Sequence, residues 1–333
     1  MTSPVAIGVD IGGTKVAAGV VDPKGSVLAT ARRLTPAEDW QAVRQTVAEA
    51  VLELVPQARS RGLEPVAVGI GAAGLVDAGR SRVVFAPHLA LQGEPIAGAV
   101  SLDVGMPVVI ENDANAAAWA EYRFGAGQRQ ARLVCVTLGT GIGGGMVNDG
   151  EVQRGQWGMA GEFGHMVFVP DGHPCECGNR GCLEQYASGN VLGRRARELA
   201  AAGAPEVVPL LERAGGDPAA LLGPLITVAA QDGDQLAIEL FGQVGHWLGI
   251  GLANIAAALD PGMFVIGGGV SDAGELLLGP ARRSFAQCLL GRSLRPPAEI
   301  TRVALGPAAG LIGAADLALQ PPAQPGRGAE DGR

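Results

Sequence analysis

Long apolar runs are missing from this 333-residue chain, and so are runs of basic residues. No uninterrupted apolar stretch reaches the ~18 residues that a membrane span requires, so no membrane is expected as a partner. The 25 lysines and arginines are scattered and outnumbered by 33 acids, giving a net charge of −8. A chain of that sign without a basic patch has no nonspecific grip on a phosphate backbone, and nucleic acid is excluded as a first reading. Asp10 arrives before a signal-type apolar region with a basic flank could form, so a cytoplasmic protein is expected. Charged residues are few, at 17%, against 47% apolar, which supplies material for a buried core and excludes global disorder.

Glycine, by contrast, is abundant: 52 residues, enough to imply many tight turns and close backbone approaches. The length allows two domains. Residues 5–11, VAIGVDI, then GGTK, then VAAGVVD read as strand, glycine turn, strand. Residues 133–138, LVCVTL, then GTGIGGG, then MVNDGEV repeat that arrangement about 125 residues later. The duplication suggests two similar α/β domains facing each other across a ligand cleft. Between and after the repeats the pattern predicts a helix over 40–56, a buried strand entering a turn over 66–77, and a strand over 107–110. An alanine-rich helix follows over 112–121, then a long apolar helix over 235–259 and a strand over 263–266. A glycine loop then enters another helix, with Ser271 or Asp272 as its cap. The proline, glycine and charge of 320–333 predict a flexible tail.

Gly139, Gly141 and Gly144 have dinucleotide-fingerprint spacing, but a strand rather than a helix follows them. Gly12, Gly13, Thr14 and Lys15 lack the spacer of a P-loop and are also followed by a strand. What remains is a phosphate cradle made of two hairpin loops, whose backbone N–H groups point at one ligand while Thr14 and Thr140 add hydroxyls. Gly141 would then reserve space for phosphate oxygens. Lys15 is one of only two lysines in the chain and is either a phosphate ligand or a solvated turn residue. Asp10, at the strand end before the first loop, is placed to hold Mg²⁺ through water while the metal bridges phosphates.

Five cysteines, three of them at Cys175, Cys177 and Cys182, do not form a secreted disulfide framework. With one histidine they match a closed Cys₃His zinc site, and spacing allows either His165 or His173 as the fourth ligand. Glu162 and Glu184 sit three residues before His165 and two after Cys182, as acceptors for a polyhydroxylated ligand or as surface acids. Asp113, with Asn112 before it, follows a strand and opens a helix. It is a helix cap, a cleft carboxylate able to accept a proton, or both.

DIGGTK, ENDANAAAWAE, LGTGIGGG, GEFGH and CECGNRGCLEQYASG occur in this order. Together they resemble the ROK family of sugar kinases and sugar-responsive repressors, over residues 5 to about 319, most closely its bacterial glucokinases. The resemblance implies a duplicated actin-like ATPase (ribonuclease H-like) fold, two domains around a cleft. Residues 1–115 plus 305–319 would form the smaller domain, and 116–304 the larger, with a zinc knuckle at 165–182. It implies Asp113 as catalytic base. Gly74, Asn112, Asp113, Glu162, His165 and Glu184 would bind glucose, with His165 rather than His173 completing the zinc site. Gly12, Gly13, Thr14, Lys15, Thr140 and Gly141 would meet ATP, and Gly267, Gly268 and Gly269 match the loop that lies against the adenosine. Where many members have proline, this chain has Ala72 or Ala73. Nine residues before Asp10 leave no room for a repressor's helix-turn-helix, so an enzyme is expected. ATP, Mg²⁺ and structural Zn²⁺ are its cofactors, and a homodimer or homotetramer its assembly. Asp113 would take the proton of the glucose 6-hydroxyl as it attacks the γ-phosphoryl, with domain closure excluding water. The alternatives are a kinase for fructose, mannose or an N-acetylhexosamine, or a noncatalytic sugar sensor. Zinc would organise the sugar site alone, since the phosphate loops lie elsewhere in the chain.

Overall fold

The structure, a computed structural model, describes residues 3–36, 39–86 and 89–320. The chain divides into two compact units, Met1–Asp113 with Leu311–Arg333, and Ala114–Gly310. The tail expected over 320–333 lies outside the described residues apart from Gln320.

In the first unit β1 (Ser3–Ile11), β2 (Lys15–Val21) and β3 (Val27–Leu34) precede α1 (Trp40–Arg59) and β4 (Leu63–Ala72). The short pair β5 (Leu75–Val76) and β6 (Val83–Phe85), then α2 (Ile96–Val104) and β7 (Val108–Asn112), complete it. The sheet order is β3-β2-β1-β4-β7, antiparallel from β3 to β1 and parallel from β1 to β7. Five consecutive residues of β1, Val5 to Val9, are buried. A central strand covered on both faces gains from every apolar side chain, and its sequence is therefore a run rather than an alternation. α1 covers the sheet with Val43, Val47, Val51, Leu54 and Ala58, one face of a 3.6-residue period, and starts at Asp39, whose carboxylate accepts the Gln41 N–H at 2.9 Å.

α3 (Asp113–Phe124) carries the chain into the second unit at Ala114, followed by β8 (Arg132–Leu138), β9 (Ile142–Asn148) and β10 (Glu151–Val152). Next come α4 (Glu184–Ala187), α5 (Gly189–Ala201), α6 (Val208–Arg213), α7 (Gly223–Gln231) and α8 (Gln235–Leu259). β11 (Met263–Gly267), α9 (Glu275–Cys288) and β12 (Glu299–Arg302) close it, and α10 (Ala309–Ala318) returns the chain to the first unit at Leu311. The order β10-β9-β8-β11-β12 repeats that of the first sheet strand for strand, with the same parallel and antiparallel pairings. The duplication read in the glycine hairpins therefore extends to the whole sheet.

Two local expectations are corrected. The second glycine run is mostly strand: the turn is only Gly139–Gly141, and β9 begins at Ile142. Gly144 and Gly145 lie inside it because a Cβ there would come within 2.4 Å of the Gly161 carbonyl and 2.5 Å of the Ala114 carbonyl, so these glycines serve packing. The cap of α9 is Gly274, and Ser271 and Asp272 lie in a 3₁₀ turn before it. α8 is by length and composition apolar enough to cross a membrane, with mean hydropathy 1.2, although Glu239, Gln243 and His246 interrupt its apolar run. It is a core helix: 61% of its apolar window is buried, and Leu240, Phe241, Val244 and Leu248 belong to the core of the second unit.

Candidate functional site

In the first unit the chain turns between β1 and β2 at Gly12–Thr14. The Gly12 N–H donates to the Lys15 carbonyl at 3.0 Å. Thr35 fastens the turn from the end of β3: its hydroxyl donates to the Gly12 carbonyl at 2.7 Å and its N–H to the Thr14 carbonyl at 3.1 Å. Gly13, Thr14 and Lys15 remain exposed. Asp10 lies just before them. Burial raises its carboxyl above the usual range, and the Lys15 charge opposes that shift. A divalent cation would restore its charged form, so this single carboxylate suits an ion that keeps most of its water and phosphate ligands.

Gly74 has φ +125°, and a Cβ there would stand 2.3 Å from the Phe85 carbonyl, so only glycine fits. Its own carbonyl accepts the Asn112 side-chain N–H at 3.0 Å. The structure thus brings Gly74 and Asn112 together across 38 residues of sequence. Asp113 is the first residue of α3, where a carboxylate is stabilised by the helix N-terminus. Behind this pair Glu111 is buried, and one of its oxygens accepts the Asn112 N–H at 3.2 Å.

In the second unit the Gly139–Gly141 turn is closed by the Gly139 N–H donating to the Gly141 carbonyl at 3.0 Å. Gly268, at φ +78°, packs against Leu138 immediately before that turn, where a Cβ would meet the Leu138 carbonyl at 2.3 Å. The turn and the Gly267–Gly269 loop are therefore neighbours. Gly269 is exposed.

His165, Cys175, Cys177 and Cys182 present ligand atoms that all lie within 4.8 Å of one another. Cys175 Sγ is 3.7 Å from His165 Nδ1, and Cys177 Sγ is 3.6 Å from Cys182 Sγ. Tetrahedral zinc with bonds of ~2.0–2.3 Å would set such donors ~3.5–3.8 Å apart, so the cluster fits the ion. Gly178 and Gly181 take positive φ in the knuckle. Burial and the adjoining Cys177 and Cys175 sulfurs push the Cys182 thiol up to about 12. Zinc would reverse that by binding the thiolate. His173 is elsewhere: its ring packs on Tyr186 at 5.4 Å between centroids.

The other imidazole nitrogen, Nε2 of His165, is 4.0 Å from Glu162 Oε2. Burial raises the Glu162 carboxyl; the His165 charge lowers it and the Glu184 charge raises it. Glu184 opens α4, its Oε2 accepting the Ile142 N–H at 2.8 Å while its Oε1 lies 3.9 Å from Cys175 Sγ. The structure therefore brings Glu162, His165 and Glu184 to one face of the knuckle.

Among the acids given no role in the sequence reading, two are no more than 2% exposed. Glu111 is one. The other is Glu121, fully buried, which accepts the N–H groups of Ala126 at 2.8 Å, Ala304 at 3.1 Å and Leu305 at 2.8 Å. A lone acid inside an apolar helical stretch was the available signal for Glu121. Nothing marked Arg80, the partner of Glu111, whose φ is +55°.

Residues 6–321 match the ROK family. The chain belongs to that family. Its relatives include a glucokinase of Streptomyces coelicolor, 47% identical over 95% of this chain and 98% of that one. A glucokinase of Thermotoga maritima is 35% identical over 93% of this chain and 96% of that one. Among solved structures, the ROK family glucokinase from Streptomyces griseus in complex with glucose and AMPPNP is 48% identical, with a TM-score of 0.84 over 94% of this chain and 99% of that one. The duplicated sheets and the order of the motifs accord with ROK membership and with the actin-like ATPase fold of the family.

Proposed function

We propose that this chain is an ATP-dependent glucokinase that phosphorylates glucose at its 6-hydroxyl, yielding glucose 6-phosphate and ADP. The observation that carries the reading is its full-length likeness, at 48% identity, to a ROK enzyme crystallised with glucose and AMPPNP. The local geometry supports it: a zinc-suited cluster holds His165 by Nδ1 and leaves Nε2 beside Glu162.

In the proposed mechanism Gly74, Asn112, Glu162, His165 and Glu184 hold the sugar. With Nδ1 of His165 turned to the sulfurs that would hold Zn²⁺, the imidazole proton would sit on Nε2, where it can donate to a sugar hydroxyl. Asp113 accepts the proton of the 6-hydroxyl; the sugar oxygen forms its bond to the γ-phosphorus, and the bond from that phosphorus to the bridging oxygen breaks to release ADP. The exposed turn at Gly12, Gly13, Thr14 and Lys15, the turn at Thr140 and Gly141, and the Gly268–Gly269 loop receive the nucleotide. Asp10 would hold Mg²⁺, which when bound neutralises charge on the phosphates. His165, Cys175, Cys177 and Cys182 would hold structural Zn²⁺.

Residues 1–115 plus 305–319 and residues 116–304 are proposed as the functional domains, acting in the cytoplasm as a homodimer or homotetramer. These assignments rest on the family resemblance, and light scattering tests the assembly. A coupled assay across glucose, fructose, mannose and N-acetylhexosamines, with ATP or polyphosphate as donor, tests the activity. The highest kcat/KM is expected for glucose with ATP, and absence of turnover on any hexose would return the chain to a sugar-sensing role.

A further inference from the structure

We infer that Glu184 is a positioning residue for the nucleotide turn as well as a sugar ligand, and that the zinc knuckle therefore sets nucleotide affinity. The inference rests on the assignment of Thr140 and Gly141 to ATP. A turn whose N–H groups cradle phosphate binds tightly only if it is ordered before the ligand arrives. Within itself the Gly139–Gly141 turn has one closing bond, from the Gly139 N–H to the Gly141 carbonyl.

The remaining restraint comes from the segment after the last zinc cysteine. Glu184 Oε2 accepts the Ile142 N–H at 2.8 Å, a charge-assisted bond across 42 residues of sequence. The Gly189 N–H donates to the Gly139 carbonyl at 2.8 Å, and the Asn190 N–H to the Thr140 carbonyl at 3.4 Å. A Cβ on residue 141 would stand 2.2 Å from Glu184 Oε2, so the carboxylate occupies the space that the missing side chain leaves. Its other oxygen faces Cys175 Sγ at 3.9 Å. Glu184 thus has one oxygen on the turn and one toward the metal cluster, and each carboxylate oxygen keeps a second lone pair for a sugar hydroxyl. Loss of zinc would free the knuckle and release the turn. The two loops are remote in sequence but in direct contact.

The test is calorimetric titration of AMPPNP, without sugar, into the zinc-loaded wild type and its Glu184→Ala, Glu184→Gln and Glu162→Ala variants. Glu184→Ala is expected to weaken AMPPNP about tenfold, the size of one charge-assisted hydrogen bond. Glu184→Gln should stay within about threefold, because the amide oxygen can still accept from Ile142. Glu162→Ala should bind AMPPNP as the wild type does while losing glucose. Hydrogen exchange of the wild-type 139–145 peptide, with zinc and after chelation, tests the same link without substitution and should accelerate when zinc is removed. Unchanged AMPPNP affinity in Glu184→Ala, or unchanged exchange at 139–145, would overturn the inference and leave the glucokinase reading standing. A wild type that binds no AMPPNP would overturn both.

Discussion

Arg80 Nε lies 3.4 Å from Glu111 Oε2, with the two side chains 12% and 3% exposed. The Arg80 carbonyl also accepts the Ile110 N–H at 3.0 Å, and Glu111 accepts the N–H of Asn112. The turn after Gly74 is therefore tied to the strand that delivers Asn112 and Asp113. Replacing Arg80 with Met removes a guanidinium from beside a buried carboxylate, and a loss of ~3 kcal/mol is expected in urea unfolding. Glu111→Gln should cost less, since the amide oxygen can still accept the Asn112 N–H, and Arg80, the less buried of the pair, keeps some contact with water. Equal losses in the two variants would mean that packing, not charge, governs this pair.

Asp113→Asn keeps the size of the side chain and its ability to sit at the start of a helix, but removes the proposed base. The expected result is a fall in kcat by ~10²–10⁴ with an unchanged melting temperature. A kcat within threefold of the wild type would move the base elsewhere.

Gly141→Val places its added atoms against the Glu184 carboxylate rather than in empty space reserved for phosphate. Both glucose and ATP should therefore bind more weakly, each by about tenfold or more, whereas a space reserved for phosphate would weaken ATP far more than glucose. Separate KM values for the two substrates decide between these outcomes.

Cys177→Ala removes the exposed ligand of the cluster and should release zinc. Glu162, His165 and Glu184 would then lose their common anchor, and glucose affinity should fall about tenfold or more. Metal analysis together with glucose calorimetry provides the check: a folded, zinc-free protein with wild-type glucose affinity would confine the metal to holding its own loop.

The sequence by itself determined the duplicated strand-turn-strand units, the long helices and the thiol cluster, because each is written in local periodicity or in residues a few positions apart. VAIGVDI forms β1, and residues 235–259 form α8 at the expected bounds. The composition of 175–182 specifies three sulfur donors before any folding is considered. His165 against His173 was open on spacing, and the structure separates them by placing Nδ1 of His165 at the sulfurs and the ring of His173 on Tyr186. Only tertiary structure decided which glycines form the turn and which pack inside β9, since Gly141 and Gly144 look alike until Glu184 and Gly161 arrive beside them. The same holds for Arg80 with Glu111, for Glu121 with the 304–305 backbone, and for Glu184 with Ile142. These are contacts between strand ends and loops remote along the chain. Their partners are fixed by how layers pack, which no local pattern of residues encodes.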